Sequence, residues 1–342
     1  MQDDYFALIE KLAPDLAQEI ERRALVLERI GALQPVGRRQ LAARLNLPER
    51  EVRTVAGLLR DHGLVELDAA GMSLTPQAED ILPLARLFSR DLRGLTKLEM
   101  QLAERLHVEK VCVVAGDADC DDHVLSEVGR NAAIRLRSFL QSGSTLAVTG
   151  GGTMRLVAQS IPHSAAMNVM VVPARGGMSG ALETQANTVA SEMAKKLGGH
   201  HRLMHLPDYL DEQALGEMRK LREVEETLAL LQRADVVLHG VGRADEMAQR
   251  RQLPAHVAEM VMRKGAVAEA YGGWFDPSGK LIYSASIAAN DLGALKRKCA
   301  WIAVAAGARK AQAIAAVMRS RPHAMLVTDE GAAKAILQMD GD

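Results

Sequence analysis

Apolar residues recur at helical spacing through the first part of the chain. Ile20, Ala24, Leu27 and Ile30 place one stripe on a helix over 17–31, which Gly31 and Pro35 bring to an end. Arg38 to Leu45 reads as a short second helix. Asn46-Leu47-Pro48-Glu49 is a tight turn, with Pro48 suited to open a third helix over about 49–61. That helix buries Val52, Val55, Leu58 and Leu59 and stops at His62-Gly63. Leu64–Leu67 and Met72–Thr75 then flank Asp68-Ala69-Ala70-Gly71, the pattern of a β-hairpin. Three helices and a hairpin in this order predict a winged helix-turn-helix domain over 1–75. A longer amphipathic stretch follows over 76–106, through Ile81, Leu84, Leu87, Leu92, Leu95, Leu98, Leu102 and Leu106. It is expected to be a linker and dimerisation helix, because DNA-binding dimers need two half-sites.

Past Val108 the pattern changes to short apolar runs separated by helical stretches. The predicted strands are 111–114, 146–148, 169–172, 202–204, 236–238, 302–304 and 325–327. Such alternation predicts an α/β domain over 107–342, a Rossmann-like, mostly parallel sheet with helices on both faces. Ligands of such folds sit at the carboxyl ends of the strands. Thr149-Gly150-Gly151-Gly152-Thr153 follows the second strand and runs straight into a helical pattern from Met154. Glycines there let a backbone approach an anion closely, and a helix N-terminus presents free N–H groups to it. Pro173-Ala174-Arg175-Gly176-Gly177, His239-Gly240-Val241-Gly242 and Ala305-Ala306-Gly307-Ala308-Arg309-Lys310 follow other strands, so glycines and cations gather at one edge. Arg175 can grip a phosphate as a fork and Lys310 as a point charge. Taken singly each is more often a surface ion pair; together they point to an anionic metabolite.

Charge sharpens the picture of the first domain. The 342 residues carry a net charge of only −1, yet residues 22–60 hold nine arginines against three glutamates. Double-stranded operator DNA is therefore the expected partner of that segment. Arg50, Arg53 and Thr54 lie on the face of the third helix left free by its apolar stripe and suit base edges. Arg38 and Arg39, at the start of the second helix, suit phosphates. Hydrophobic content of 48% and charged content of 25% describe an ordinary globular chain. The three cysteines form no C-x-x-C, which points to a reducing, cytoplasmic compartment. Nothing reaches membrane-spanning length, and the acidic Met1-Gln2-Asp3-Asp4 lacks the pattern of a signal peptide.

Asp117-Ala118-Asp119-Cys120-Asp121-Asp122-His123 resembles a metal loop, but a calcium loop starting at Asp117 needs Gly and Glu where Asp122 and Val128 stand. It is expected to cap a helix, and no metal or cofactor is expected. The rival to a regulator is a sugar-phosphate isomerase- or deaminase-like enzyme with a DNA-binding appendage, using Glu269 and His239 for acid–base chemistry. No carboxylate–histidine pair with a catalytic spacing supports it, and neither G-x-S-x-G nor a Walker P-loop occurs.

Across essentially its whole length the chain resembles the SorC/DeoR-type sugar-responsive repressors. The resemblance is carried by Pro35-Val36-Gly37-Arg38-Arg39, Val148-Thr149-Gly150-Gly151, Val172-Pro173-Ala174-Arg175-Gly176-Gly177, Gln185-Ala186-Asn187-Thr188, Met247-Ala248-Gln249-Arg250-Arg251 and Val327-Thr328-Asp329-Glu330-Gly331-Ala332-Ala333-Lys334. It implies a repressor of glycolytic genes with a sugar-isomerase-like effector domain, working as a dimer or tetramer and released by fructose-1,6-bisphosphate. By the same resemblance Gly151, Gly152, Thr153 and Lys310 hold one phosphate. Arg175, Gln185 and Arg250 serve the other end, and Glu269 accepts from sugar hydroxyls. One departure stands out: the family turn has two consecutive threonines, and here the first is Gly152.

Overall fold

The computed structural model describes residues 11–45, 47–163, 167–176, 181–206, 212–284 and 299–339. The acidic start at Met1–Asp4, Asn46 of the expected turn and Gly177 lie outside them. The chain divides into two compact units, Met1–Thr96 and Lys97–Asp342.

In the first unit, α1 (Pro14–Leu33), α2 (Arg38–Leu45) and α3 (Glu49–Asp61) precede the strands β1 (Val65–Leu67) and β2 (Met72–Leu74). Val26, Leu27 and Ile30 of α1 bury against Leu41 and against Val52, Val55 and Leu59 of α3. The wing pairs Val65 with Leu74 and Leu67 with Met72, and Val36 adds a bridge to Met72. Its tip is tied by Asp68, whose Oδ1 accepts from the N–H groups of Ala70 (2.8 Å) and Gly71 (2.9 Å). The helix α4 (Pro76–Leu92) is capped by Thr75 and fastened to α1 by the Arg86–Glu28 and Arg93–Glu21 pairs. The stretch 76–106 is thus two helices, because Gly94 at φ +63° stops α4 before α5 (Leu95–Leu106) begins. Leu95, Leu102 and Leu106 of its apolar seam are buried within the chain.

The second unit holds β3 (Val111–Val114), α6 (Asp122–Leu136), β4 (Thr145–Val148), α7 (Gly152–Ser160), β5 (Met170–Pro173), α8 (Ala186–Leu197) and β6 (His200–His201). After α9 (Glu212–Arg219) and α10 (Arg222–Leu231) come β7 (Val236–Gly240), β8 (Gly242–Arg243), α11 (Ala244–Arg250), α12 (Ala255–Arg263), β9 (Ala268–Ala270), β10 (Gly273–Phe275) and β11 (Leu281–Ser284). The described chain closes with β12 (Ala300–Val304), α13 (Ala311–Ser320), β13 (Met325–Asp329) and α14 (Glu330–Gln338).

Seven strands form one all-parallel sheet in the order β3-β13-β12-β7-β4-β5-β6. Leu146, Val148, Leu238, Ile302 and Val304 fill one core with Val128, Met154, Val157 and Met193 from the helices. The alternate residues Ala147, Val237 and Ala303 are equally buried on the opposite face, so both faces are covered, as a parallel sheet requires. Among the described residues no helix is long and apolar enough to cross a membrane.

One local expectation needs correcting, and one sheet lies outside the predicted pattern. The strand expected at 202–204 lies instead at His200–His201. Arg202 still donates to Val171 O, but Met204 has its N–H and C=O taken by the Asn187 side chain (2.9 and 3.1 Å), which draws it off the ladder. The antiparallel sheet β11-β10-β9-β8 was not anticipated at all.

Candidate functional site

The carboxyl ends of β5, β4, β7, β12 and β13 line up along one edge, and the turns after β4, β5 and β12 carry predicted site residues. At the β4–α7 turn, Thr149 N–H donates to Leu238 O (3.1 Å), and its hydroxyl accepts from Gly240 N–H (3.3 Å). Gly150 lies against the backbone of Thr184, Gln185 and Ala186 so closely that no side chain fits. Gly151 adopts φ +118° and donates to Thr184 O (2.7 Å). A Cβ at Gly151 or Gly152 would meet nothing within 4 Å, so this backbone borders open space. The first turn of α7, with Gly152 and Thr153, has no side-chain cap. Neither has α8, whose N-cap is Gln185. Two uncapped helix starts therefore meet at the glycine turn, and each leaves N–H groups for an anion.

Lys310 closes the short 3-10 turn Ala308–Lys310. Burial lowers its pKa, the carboxylate of Glu246 opposes that, Arg250 lowers it further, and Asp119 and Asp329 raise it. Arg250, exposed at the end of α11, is thus close enough to be felt. Among the described residues neither cation has an ion-pair partner. The carboxylates felt at Lys310 stand beyond ion-pair distance, and two neighbouring like charges favour an anion between them.

Arg175 and Glu269 behave differently. Both side chains are almost fully buried (2% and 3% exposed), and Arg175 Nη1 donates to Glu269 Oε1 at 3.0 Å. That oxygen also accepts from Gly272 N–H (2.9 Å), and Arg251 Nη2 donates to Oε2 at 2.6 Å. Burial pushes the Glu269 carboxyl above its ordinary range, and the charge of Arg175 and the Gly272 N–H pull it back. Arg251 was not singled out from sequence. It stands beside Arg250 in a tandem, and only the fold shows that one arginine turns inward and the other outward. Ala174 N–H bonds Val148 O (2.7 Å), which places the Arg175 segment next to the glycine turn.

The two groups offered for acid–base catalysis sit in separate clusters. His239 is fully buried, with its Nε2 3.1 Å from His323 Nε2 and its Nδ1 3.1 Å from Gly240 O. Tyr271 and Trp301 meet it edge-on, and the Arg321 guanidinium stacks 3.9 Å over Trp301. Burial lowers the pKa of His239, and it lowers that of His323 to about 4. Asp121 caps α6 by accepting from His123 N–H (2.9 Å), the role expected of its loop.

On the first unit, Arg38, Arg39, Arg50, Arg53 and Thr54 are all exposed, while Val52, Val55 and Leu59 of the same α3 are buried. Glu49 is shared by Arg39 (3.4 Å) and Arg53 (3.5 Å). Exposed pairs of this kind are worth little and are readily given up. The Thr54 hydroxyl donates to Arg50 O (3.0 Å).

Comparison with known proteins agrees with both halves. A model of a sugar-binding domain matches residues 90–338, and a model of the CggR N-terminal DNA-binding domain matches residues 20–86. The chain is 36% identical over 330 residues to the central glycolytic genes regulator of Priestia megaterium, with 96% of each covered. The regulator of the same name from Bacillus subtilis is 35% identical over 330 residues, covering 96% of this chain and 97% of that one. A crystal structure of a SorC family transcriptional regulator from Enterococcus faecalis superposes with a TM-score of 0.64 at 34% identity, over 71% of this chain and 100% of that one. The chain belongs to the SorC family of sugar-binding transcriptional regulators. The full-length sorbitol operon regulator SorC of Klebsiella pneumoniae shares the fold, with a TM-score of 0.64 at 20% identity over 89% of this chain and 94% of that one. As a member of this family the chain pairs a DNA-binding domain with a sugar-binding domain, and DNA and a sugar ligand are its partners.

Proposed function

We propose that this regulator represses glycolytic genes. It holds double-stranded operator DNA as a homo-oligomer, a dimer or tetramer, and releases it when fructose-1,6-bisphosphate enters the second unit. The observation that carries the reading is the open Gly151–Gly152 backbone at an uncapped helix start, together with Lys310 and Arg250, two neighbouring cations in no ion pair among the described residues. A phosphate supplies what both lack. Arg250, which the resemblance puts at the other end, is felt at Lys310 and is here assigned to the same phosphate. Arg175, Gln185 and Glu269 belong to the sugar and the second phosphate, and Arg38, Arg39, Arg50, Arg53 and Thr54 to the operator. Similarity to two central glycolytic genes regulators over nearly the whole chain supports the choice of target genes. The pairing of Glu269 with two arginines, and of His239 with His323, speaks against an isomerase or deaminase.

Thermal melting against a panel of phosphorylated and free sugars tests this, since a ligand that binds only the folded state raises the midpoint. Fructose-1,6-bisphosphate should raise it most, monophosphates less and free fructose not at all. A free sugar that stabilises as well as the bisphosphate defeats the reading, and turnover of any sugar phosphate favours the enzyme.

A further inference from the structure

The turn that carries Lys310 offers three successive backbone N–H groups, a nest of the kind that commonly cradles an anion. The chain fills it with its own carboxylates. Gly307 N–H donates to both oxygens of Asp329 (3.0 and 2.9 Å), Ala308 N–H to Asp117 (3.3 Å) and Arg309 N–H to Asp119 (2.8 Å). The other oxygen of Asp119 accepts from Arg309 Nε at 3.1 Å. No phosphate can use these N–H groups, so Lys310 itself is what the turn has left to offer a ligand.

The same carboxylates tie the turn to its surroundings. Asp329 is fully buried at the end of β13 and also accepts from Ala118 N–H (2.7 Å) and Ala332 N–H (3.0 Å). It thereby joins the loop after β3, the start of α14 and the Lys310 turn at one point. Gly307 is held at φ +102°, its carbonyl accepts from Lys310 N–H (3.0 Å), and a Cβ there would lie 2.7 Å from the Asp119 carboxylate. The turn therefore has no freedom to swing Lys310 away while Asp119 and Asp329 remain in place.

We propose that Asp119 and Asp329 are positioning residues that act through Lys310, fixing the 307–310 turn so that the ammonium meets the phosphate held at the glycine turn. This rests on the assignment of Lys310 to the effector site. Both carboxylates also help keep the half-buried ammonium charged. The loop after β3, set aside as a metal site, becomes the outer strap of the effector site.

Calorimetric titration of the full chain with fructose-1,6-bisphosphate tests the proposal through a double-mutant cycle, which detects whether two residues act through each other. Asp119 lies at the surface, so Asp119→Asn should fold normally, as its melting midpoint will show. It should weaken binding about tenfold, the effect of losing one well-aimed charge-assisted contact. Lys310→Met should weaken binding at least as much, and the double variant should bind no worse than Lys310→Met alone. Asp329→Asn, if it folds, should show the same dependence on Lys310. Losses for Asp119→Asn and Lys310→Met that add in full overturn the proposal but leave the effector site standing. A Lys310→Met protein that binds like wild type overturns both, and that single variant tells the two failures apart.

Discussion

Removing Arg251 probes the buried ion-pair cluster around Glu269. In Arg251→Met the Glu269 carboxylate loses the 2.6 Å contact at Oε2, while Arg175 Nη1 and the Gly272 N–H remain at Oε1. Stripping one partner from a buried ion pair costs about 3–5 kcal/mol when nothing replaces it. With half of the carboxylate still satisfied, about 2–4 kcal/mol is the expected loss. At about 2–4 °C per kcal/mol for a unit of this size, the midpoint should fall by roughly 5–15 °C. The loss should also depend on pH. Burial already raises the folded-state pKa of Glu269, and without Arg251 it rises further. The folded variant then binds a proton more tightly than the unfolded chain, so its stability drops as pH rises. Scanning calorimetry of variant and wild type side by side, from about pH 5 to about pH 8, should show the deficit growing toward the alkaline end. A variant that melts with wild type, or whose deficit is the same across that range, refutes the reasoning.

The DNA-reading helix and the link between the two ligands give further tests. Arg53→Ala should cost about 1–3 kcal/mol on the operator and relax base preference at one position, whereas Arg39→Ala should weaken all DNA alike and flatten the salt slope by about one. Titrations across operator variants and salt concentrations separate the two, and an Arg53→Ala protein with unchanged affinity and preference means that another face reads the bases. If fructose-1,6-bisphosphate weakens operator binding, the operator must weaken bisphosphate binding by the same factor. Equal bisphosphate affinities with and without operator DNA would make the site structural rather than regulatory.

The winged helix was legible because its signals are local. Arg38–Leu45 and Glu49–Asp61 have the bounds that spacing, Pro48 and Gly63 suggest. Six of the seven parallel strands were legible for the same reason, each being an apolar run, whereas β6 is two exposed histidines and carries no such signal. The small antiparallel sheet was not. Ala268–Ala270 and Gly273–Phe275 are three-residue strands buried on both faces, so they show no alternation. The cations of the site could be named from sequence, but their partners could not. Arg175 finds Glu269 at 94 residues' distance and Arg309 finds Asp119 at 190, separations at which no spacing rule operates.

The paired histidines carry an arithmetic of their own. His323 Nδ1 lies 2.9 Å from Arg321 O, His239 Nδ1 3.1 Å from Gly240 O, and the two Nε2 atoms 3.1 Å from each other. Each of these three contacts needs one hydrogen, because a carbonyl oxygen has none to give. Two neutral imidazoles hold only two, so one contact always sets lone pair against lone pair. A third hydrogen would complete the set but would place a full charge in a buried site beside Arg321, and burial holds the pKa of both rings down. Folded-state values below the ordinary 6.5 mean that the unfolded chain takes up protons first. This cluster therefore costs stability progressively as pH falls from about 6.5 toward about 4. Gly240, whose carbonyl faces one ring and whose N–H holds Thr149, connects that frustrated pair directly to the glycine turn.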